Sequence, residues 1–288
     1  MTAVIIGANG QDGYYLSRFL ESINIKVIGV SRSGNFLRTD ITQLSDITDL
    51  IRTYRPDYIF HFAADSTTKH EVWRQNHEII CTGTLNILEA VRLLGTSTRV
   101  FLSGSGLQFK NEGKPIKETD PFEATSQYAV SRIHSVYAAR YYRKLGIKAY
   151  VGYFFNHDSP LRSEKHVTKK ITEAVKRIAK GSTEKLEIGD AAVKKEWAFA
   201  GDIVQAVWTI VQQDNIFEAT IGTGKAYAIG EWLDACFSLI GKKWQDHVIL
   251  SDSFQAEFKI LVSDPSTINS LGWNPKVSFT DLAAMMLK

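Results

Sequence analysis

The feature that most restricts what this chain can fold into lies at its very start. A short apolar run at residues 2–7, TAVIIG, passes directly into GANGQDG and then into the amphipathic stretch DGYYLSRFLES. Gly7, Gly10 and Gly13 stand in a G-x-x-G-x-x-G pattern between a buried strand and a helix. Each spacing has a use. Gly7 permits the tight turn, Gly10 lets the backbone approach a pyrophosphate, and Gly13 lets the helix lie close on the strand, with the helix N-terminus aiming free N–H groups at the phosphates. The competing reading is a tight turn without a ligand. Its position inside a strand–helix–strand unit favours a phosphate loop.

The following segments extend that unit. Apolar runs at residues 26–30, 58–64, 99–104 and 149–155 are rich in Val, Ile and Phe and bounded by Gly, Asp or Ser, as buried strands are. Amphipathic stretches separate them, two of which end at Gly95 and Gly146 where a left-handed cap is expected. The alternation predicts an α/β fold, a doubly wound parallel sheet of Rossmann type with helices on both faces. After residue 155 the rhythm loosens into a polar loop, NHDSPLRSEKH, a helix over about 167–180 and shorter elements. We expect a cofactor-binding domain over residues 1–157, completed by about 195–220, and a smaller mixed domain from 158–194 and 221–288. Ligands of such sheets bind at the carboxyl ends of the strands.

Composition excludes several classes. With 34 basic and 31 acidic residues among 288, and no basic run, the sequence shows no nucleic-acid footprint. No apolar run approaches a membrane span and no leader precedes the first strand, so a soluble, cytoplasmic protein is expected. Cys81 and Cys236 lack CxxC spacing and are expected to be buried thiols. The dispersed histidines show no metal-ligand spacing, so no metal is expected. His61 ends a strand and is open to a structural or an acid/base role.

The cofactor follows from the end of the second strand, GVSRSG. An acid there would hold a 2′-hydroxyl; Ser31 and Arg32 suit a 2′-phosphate instead, so NADP is favoured, with NAD possible. Arg32 as a solvated loop cation is the other reading. Asp40 and Ile41 are expected against the adenine. Asn9, Gln11 and Asp12 in the glycine loop, with Phe62, Ala63 and Ala64 after the third strand, complete the candidate cofactor contacts.

Further on, SQYAVSR places Tyr128 and Arg132 on one helix face, one residue type removed from a Tyr-x-x-x-Lys pair. Together with HFAA, SGSGLQF, FFNHDSPLR and LGWNPKVSF, these motifs resemble the extended short-chain dehydrogenase/reductase (NAD-dependent epimerase/dehydratase) family, and within it the GDP-mannose 4,6-dehydratase group, over nearly the whole chain. The resemblance implies oxidation at C4 of a nucleotide-linked hexose by NAD(P), then loss of water across C5–C6 and return of hydride to C6. It implies Tyr128 as the base at the C4 hydroxyl and Arg132 in place of the lysine that contacts the nicotinamide ribose. The charge is kept, but the planar group does not replicate an ammonium. The family's threonine and glutamate fall on Gly104 and Gly106. Ser103 or Ser105 is left to offer a hydroxyl, and no carboxylate replaces the glutamate within this stretch; Glu112 and Glu118 lie beyond it.

The same resemblance implies Asn156, Lys169, Lys195 and Glu257 as contacts to the nucleotide sugar, with Phe254 where an arginine is usual. It implies a GDP-linked substrate and a homodimer formed through paired helices. Two functions remain open. One is an enzyme moving hydride at C4 of a GDP-hexose with dehydration impaired. The other is a binding protein that keeps both pockets without turnover, as a sensor or as the partner of an active paralogue.

Overall fold

The computed structural model describes residues 1–251 and 254–288. A six-stranded, all-parallel sheet forms the centre. Its strands in chain order are β1 (Thr2–Ile6), β2 (Lys26–Val30), β3 (Tyr58–His61), β4 (Arg99–Ser105), β5 (Ala149–Phe154) and β6 (Glu218–Ile221). Across the sheet they lie β6-β5-β4-β3-β1-β2, so the winding reverses between β1 and β3. At such a reversal, neighbouring loops turn to opposite faces and leave a crevice at the strands' carboxyl ends. The Rossmann expectation is met, and the sixth strand comes from well beyond residue 157.

Helices cover both faces, which is why the strands read as continuous apolar runs. On one face α1 (Gln11–Ser22) and α6 (Ala200–Val211) enclose a core with Ile5, Leu16, Leu20, Phe60, Phe101 and Val207. On the other, α2 (Leu44–Tyr54), α3 (Gly83–Leu94) and α4 (Gln127–Lys144) pack on Val4, Ile51, Ile87, Val100 and Val136. Both expected glycine stops have left-handed backbone, Gly95 at φ 61° and Gly146 at φ 86°. Cys81 and Cys236 are free and buried.

The C-terminal elements have their own core. Here α5 (Val167–Ala179), α7 (Ile229–Ser238) and α8 (Phe279–Leu287) enclose Trp232, Phe237 and Leu282, with Trp197 stacked 4.6 Å from Trp232. A short strand, Lys194–Glu196, lies between Ala226–Ala228 and Ile260–Leu261. The fully buried Glu196 fastens this patch. It accepts from the Ser263 N–H and hydroxyl at 2.5 and 2.6 Å and from the Thr223 N–H. Burial still pushes its carboxyl above the usual range. Among the described residues no helix is long and apolar enough to cross a membrane.

His61, at the end of β3, is a structural histidine. One ring nitrogen is 3.1 Å from the Ile79 carbonyl, within a π-helical turn (His77–Thr82). Burial, reinforced by the nearby charge of Arg132, lowers its pKa from 6.5 to about 4. The folded state therefore holds this ring neutral while the unfolded chain protonates it. Its contribution is fully present above about pH 6.5 and falls as pH drops towards 4, by up to about 1.4 kcal/mol per unit. Urea unfolding between about pH 7 and pH 4.5 should show His61→Gln losing less stability than the parent over that interval. Equal losses would place the acid sensitivity elsewhere.

Candidate active site

The strand ends and the C-terminal elements enclose a continuous trough in three parts. The middle part, about 280 Å³, is lined by Gly7, Gly10, Gln11, Asp12 and Gly13 of the phosphate loop and by Phe62 and Ala64 after β3. Ser103, Gly104, Ser105, Tyr128, Arg132 and Asn156 line it from the opposite side. Towards β2 it opens into a larger space of about 920 Å³ bounded by Asn9, Arg32, Asp40, Ile41 and Ala63. Gly7, Gly10, Phe62 and Ala64 line both. On the other side Thr68, Leu107 and Leu261 join it to an outer pocket of about 600 Å³.

The glycine loop is shaped by close packing of the backbone on itself. A methyl group on Gly13 would lie 2.4 Å from the Gly7 carbonyl, and one on Gly7 2.8 Å from the Ala63 nitrogen. No larger residue fits either position. Asp12 continues the loop and meets His157 at 2.9 Å. Burial opposes both charges, yet each stabilises the other enough that Asp12 ends below, and His157 above, its ordinary value. Arg162 pairs with Asp158 at 3.2 Å beside them, and His166 completes this wall. Sequence reasoning did not select Arg162 or His166. Their shared signal was a basic loop following Asn156.

Tyr128 is delivered by α4, whose first turn is capped by the Ser126 hydroxyl accepting from the Ala129 N–H at 3.2 Å. One turn on, the Arg132 guanidinium lies 5.1 Å from the centre of the Tyr128 ring, a cation–π distance. Its Nη1 donates to the Ser103 carbonyl at 2.5 Å and to the Ser103 hydroxyl at 2.9 Å. Arg132 is 5% exposed, and its Nε–H has no partner among the described residues. An unpaired buried donor lining a cavity is a place where a ligand acceptor gains a full hydrogen bond. The Oδ1 of Asn156 is a second such atom, an unpaired acceptor.

The two serines left open by the sequence have different occupations. The Ser103 hydroxyl donates to the His61 carbonyl at 3.1 Å while accepting from Arg132, so its one proton is committed. That of Ser105, on the cavity wall, accepts from the Leu107 N–H at 3.2 Å and donates to no acceptor among the described residues. Gly104 and Gly106 are not vacancies. A methyl at 104 would lie 2.7 Å from the Tyr153 ring and 3.1 Å from the Gln108 side-chain oxygen; one at 106 would lie 2.9 Å from the Phe155 ring. Tyr153 is itself fixed by its hydroxyl donating to Glu218 at 2.6 Å, and Arg140 and Arg143 clamp the same carboxylate.

Asp12 is the single carboxylate lining the middle cavity among the described residues. Glu112 and Glu257 line the outer pocket instead, the former paired with Lys110 at 2.7 Å and the latter accepting from the Thr68 hydroxyl at 2.5 Å. Glu118 is held elsewhere by Thr267 and Thr220. Lys169 lies outside the trough's lining, bonded to the Pro160 carbonyl at 3.0 Å and Glu173 at 2.8 Å. Lys195 lies 4.7 Å over the Trp197 ring, and burial lowers its pKa. Phe254 packs its ring against Gly189, where a methyl would lie 2.4 Å away.

The model of the GDP-mannose 4,6 dehydratase family matches residues 4–286. GDP-mannose 4,6 dehydratase 1 of Arabidopsis thaliana is 33% identical over 318 residues, covering 99% of this chain and 88% of that protein. A GDP-mannose 4,6-dehydratase of Vibrio cholerae is 29% identical over 343 residues, covering 99% and 92%. Among solved structures, a UDP-glucose 4-epimerase of Thermotoga maritima with UDP-glucose superposes with TM-score 0.89 at 20% identity, covering 100% of this chain and 97% of that one. RMD from Pseudomonas aeruginosa, complexed with NADPH, gives 0.86 at 19%, covering 100% and 98%. The structural likenesses show a common fold, and the full-length sequence match carries the assignment: this chain belongs to the GDP-mannose 4,6 dehydratase family, within the extended short-chain dehydrogenases/reductases.

Proposed function

We propose that this protein moves hydride at C4 of a GDP-linked hexose, with NADP as its cofactor, and does not complete the dehydration. The observation that carries the reading is the pairing of Tyr128 with a buried arginine beside a cavity whose glycines at 104 and 106 are backed by aromatic rings. The glycine cradle, the helix N-terminus behind it and the unpaired Arg132 Nε–H fit a dinucleotide lying along the trough. When bound, the nicotinamide would supply the hydride acceptor or donor.

The chain's own residues would then manage the proton. Tyr128 exchanges it with the C4 oxygen, with the Arg132 guanidinium 5.1 Å from the centre of its ring. Ser105, with its free hydroxyl proton, donates to the same oxygen. Arg162, His166 and Asn156 offer a cationic and polar wall for the diphosphate. Elimination across C5–C6 needs a further group to remove the C5 proton and protonate the leaving hydroxyl. Asp12, the lone carboxylate of the middle cavity, is committed to His157. General acid/base assistance contributes typically about 10²–10⁴-fold, so its loss stops the reaction at the ketone.

We further propose that residues 1–157 with about 195–220 form the cofactor unit and the remainder the sugar-nucleotide unit. A homodimer would pair α3 and α4, whose outward faces expose Leu93 (56%), Tyr137 (59%) and Tyr141 (58%). One observation favours the non-catalytic alternative: the Arg132 guanidinium is turned onto Ser103. Absorbance at the reduced-nicotinamide band on adding GDP-sugars separates the two, since a pure binding protein leaves it unchanged.

Incubation with GDP-mannose should yield no 4-keto-6-deoxy product and at most a trace of 4-keto sugar with reduced cofactor, read by mass spectrometry. Robust 6-deoxy product would overturn the reading and assign the missing acid/base to an outer-pocket carboxylate. Glu123, whose backbone N–H is held 2.9 Å from the Gln108 carbonyl, would be the first to replace. Separately, a GDP-hexose at about a hundred times its dissociation constant should add roughly 2.7 kcal/mol of stability, seen as a melting shift. A shift with UDP-sugars and none with GDP-sugars would refute the nucleotide assignment.

A further inference from the structure

The loop that follows β2 holds a second arginine, Arg38, and the two arginines are in different situations. The loop folds back on its own strand: the Leu37 N–H donates to the Gly29 carbonyl at 3.1 Å and the Ser31 N–H to the Leu37 carbonyl at 3.2 Å. The Phe36 ring occupies the space a side chain on Gly29 would need, where a methyl would lie 2.7 Å away. Asn9 of the phosphate loop donates to the Ser33 hydroxyl at 2.7 Å, so loop and phosphate site are tied together.

Arg38 closes this structure. Its Nη1 donates to the Ser31 carbonyl at 2.7 Å and its Nη2 to the Gly34 carbonyl at 2.8 Å. These two bonds fix the plane of the guanidinium and leave further N–H donors unused. The group lines the large cavity beside β2, together with Ser31 and Ser33. Arg32, exposed as Arg38 is, makes no hydrogen bond among the described residues. Its charge acts on Asp40, whose carboxyl is held low first by the Thr42 hydroxyl and N–H and, to a smaller extent, by Arg32. Asp40, Asp46 and Glu78 face the same cavity. An anion entering it meets these carboxylates as well as the two arginines, and Arg38 is the arginine whose guanidinium is already held by protein carbonyls.

We propose that Arg38, rather than Arg32, selects a 2′-phosphorylated adenosine, the loop over residues 31–38 acting as a preformed clamp within a single subunit. This rests on the reading that the cavity beside β2 takes the adenosine half of a nicotinamide cofactor. A guanidinium already fixed by two carbonyls loses little freedom when it takes a phosphate, and its planar fork suits two phosphate oxygens. Ser31 and Ser33 add hydroxyl donors at the same edge.

Calorimetry on the whole chain with ADP-ribose and 2′-phospho-ADP-ribose tests this without any turnover. The unmodified protein should bind the phosphorylated probe more tightly by about tenfold or more. Arg38→Ala should abolish that preference while changing ADP-ribose affinity by less than about twofold, and Arg32→Ala should keep most of it. If Arg38→Ala does not fold, Arg38→Lys, which cannot bridge both carbonyls, is judged by the same criterion. Three results overturn the inference: equal affinities in the unmodified protein, loss of the preference in Arg32→Ala alone, or an equal weakening of both probes by the Arg38 variant, which would make it a loop staple only. If neither probe binds, the cofactor reading of the cavity fails with it.

Discussion

The close approach of α1 to β1 is the constraint on which the rest of the site depends. With 2.4 Å between a Gly13 methyl and the Gly7 carbonyl, only hydrogen at that position lets the helix start flush against the strand end. That contact aims the helix N-terminus along the crevice where the sheet's winding reverses. It also brings Asp12 to His157, 145 residues along the chain, tying the phosphate loop to the segment that leaves β5. Asn156, Arg162 and His166 are carried by that segment, so the position of this wall of the cavity follows from the packing of the first helix.

The residues around Tyr128 and Arg132 are built as a unit. Arg132 is longer than the ammonium side chain it resembles in role, and its fork is met by the carbonyl and hydroxyl of Ser103. Ser103 in turn is bonded to the His61 carbonyl, and Arg132's charge helps keep that imidazole neutral. On the adjoining strand, Tyr153 fills the side-chain space above Gly104 and is locked by Glu218 with two arginines. Reinstating a threonine at 104 therefore requires a smaller residue at 153 as well. Isolated larger side chains at 104 and 106 would collide with the aromatic rings beside them, and overpacking of that kind costs about 1–3 kcal/mol.

The division between what could be read and what could not follows interaction range. Glycine spacing, strand alternation, helix stops and the Tyr128–Arg132 pair are set by local backbone geometry and by periodic burial, so the sequence by itself determined the fold class, the phosphate loop and the helix bearing the tyrosine. Phe62, Ala63 and Ala64 were legible for the same reason: they follow a strand that must end at the crevice. The tertiary structure alone decided how the two serines are bonded, where Glu257 and Lys195 point, and that Arg38 is held by two carbonyls while Arg32, also exposed, has no such bond among the described residues. It also decided that aromatic rings occupy the space beside Gly104 and Gly106. Each of these depends on contacts between segments far apart in the chain, where a few tenths of an ångström determine which donor meets which acceptor. No pattern of residue types along the sequence carries that distance.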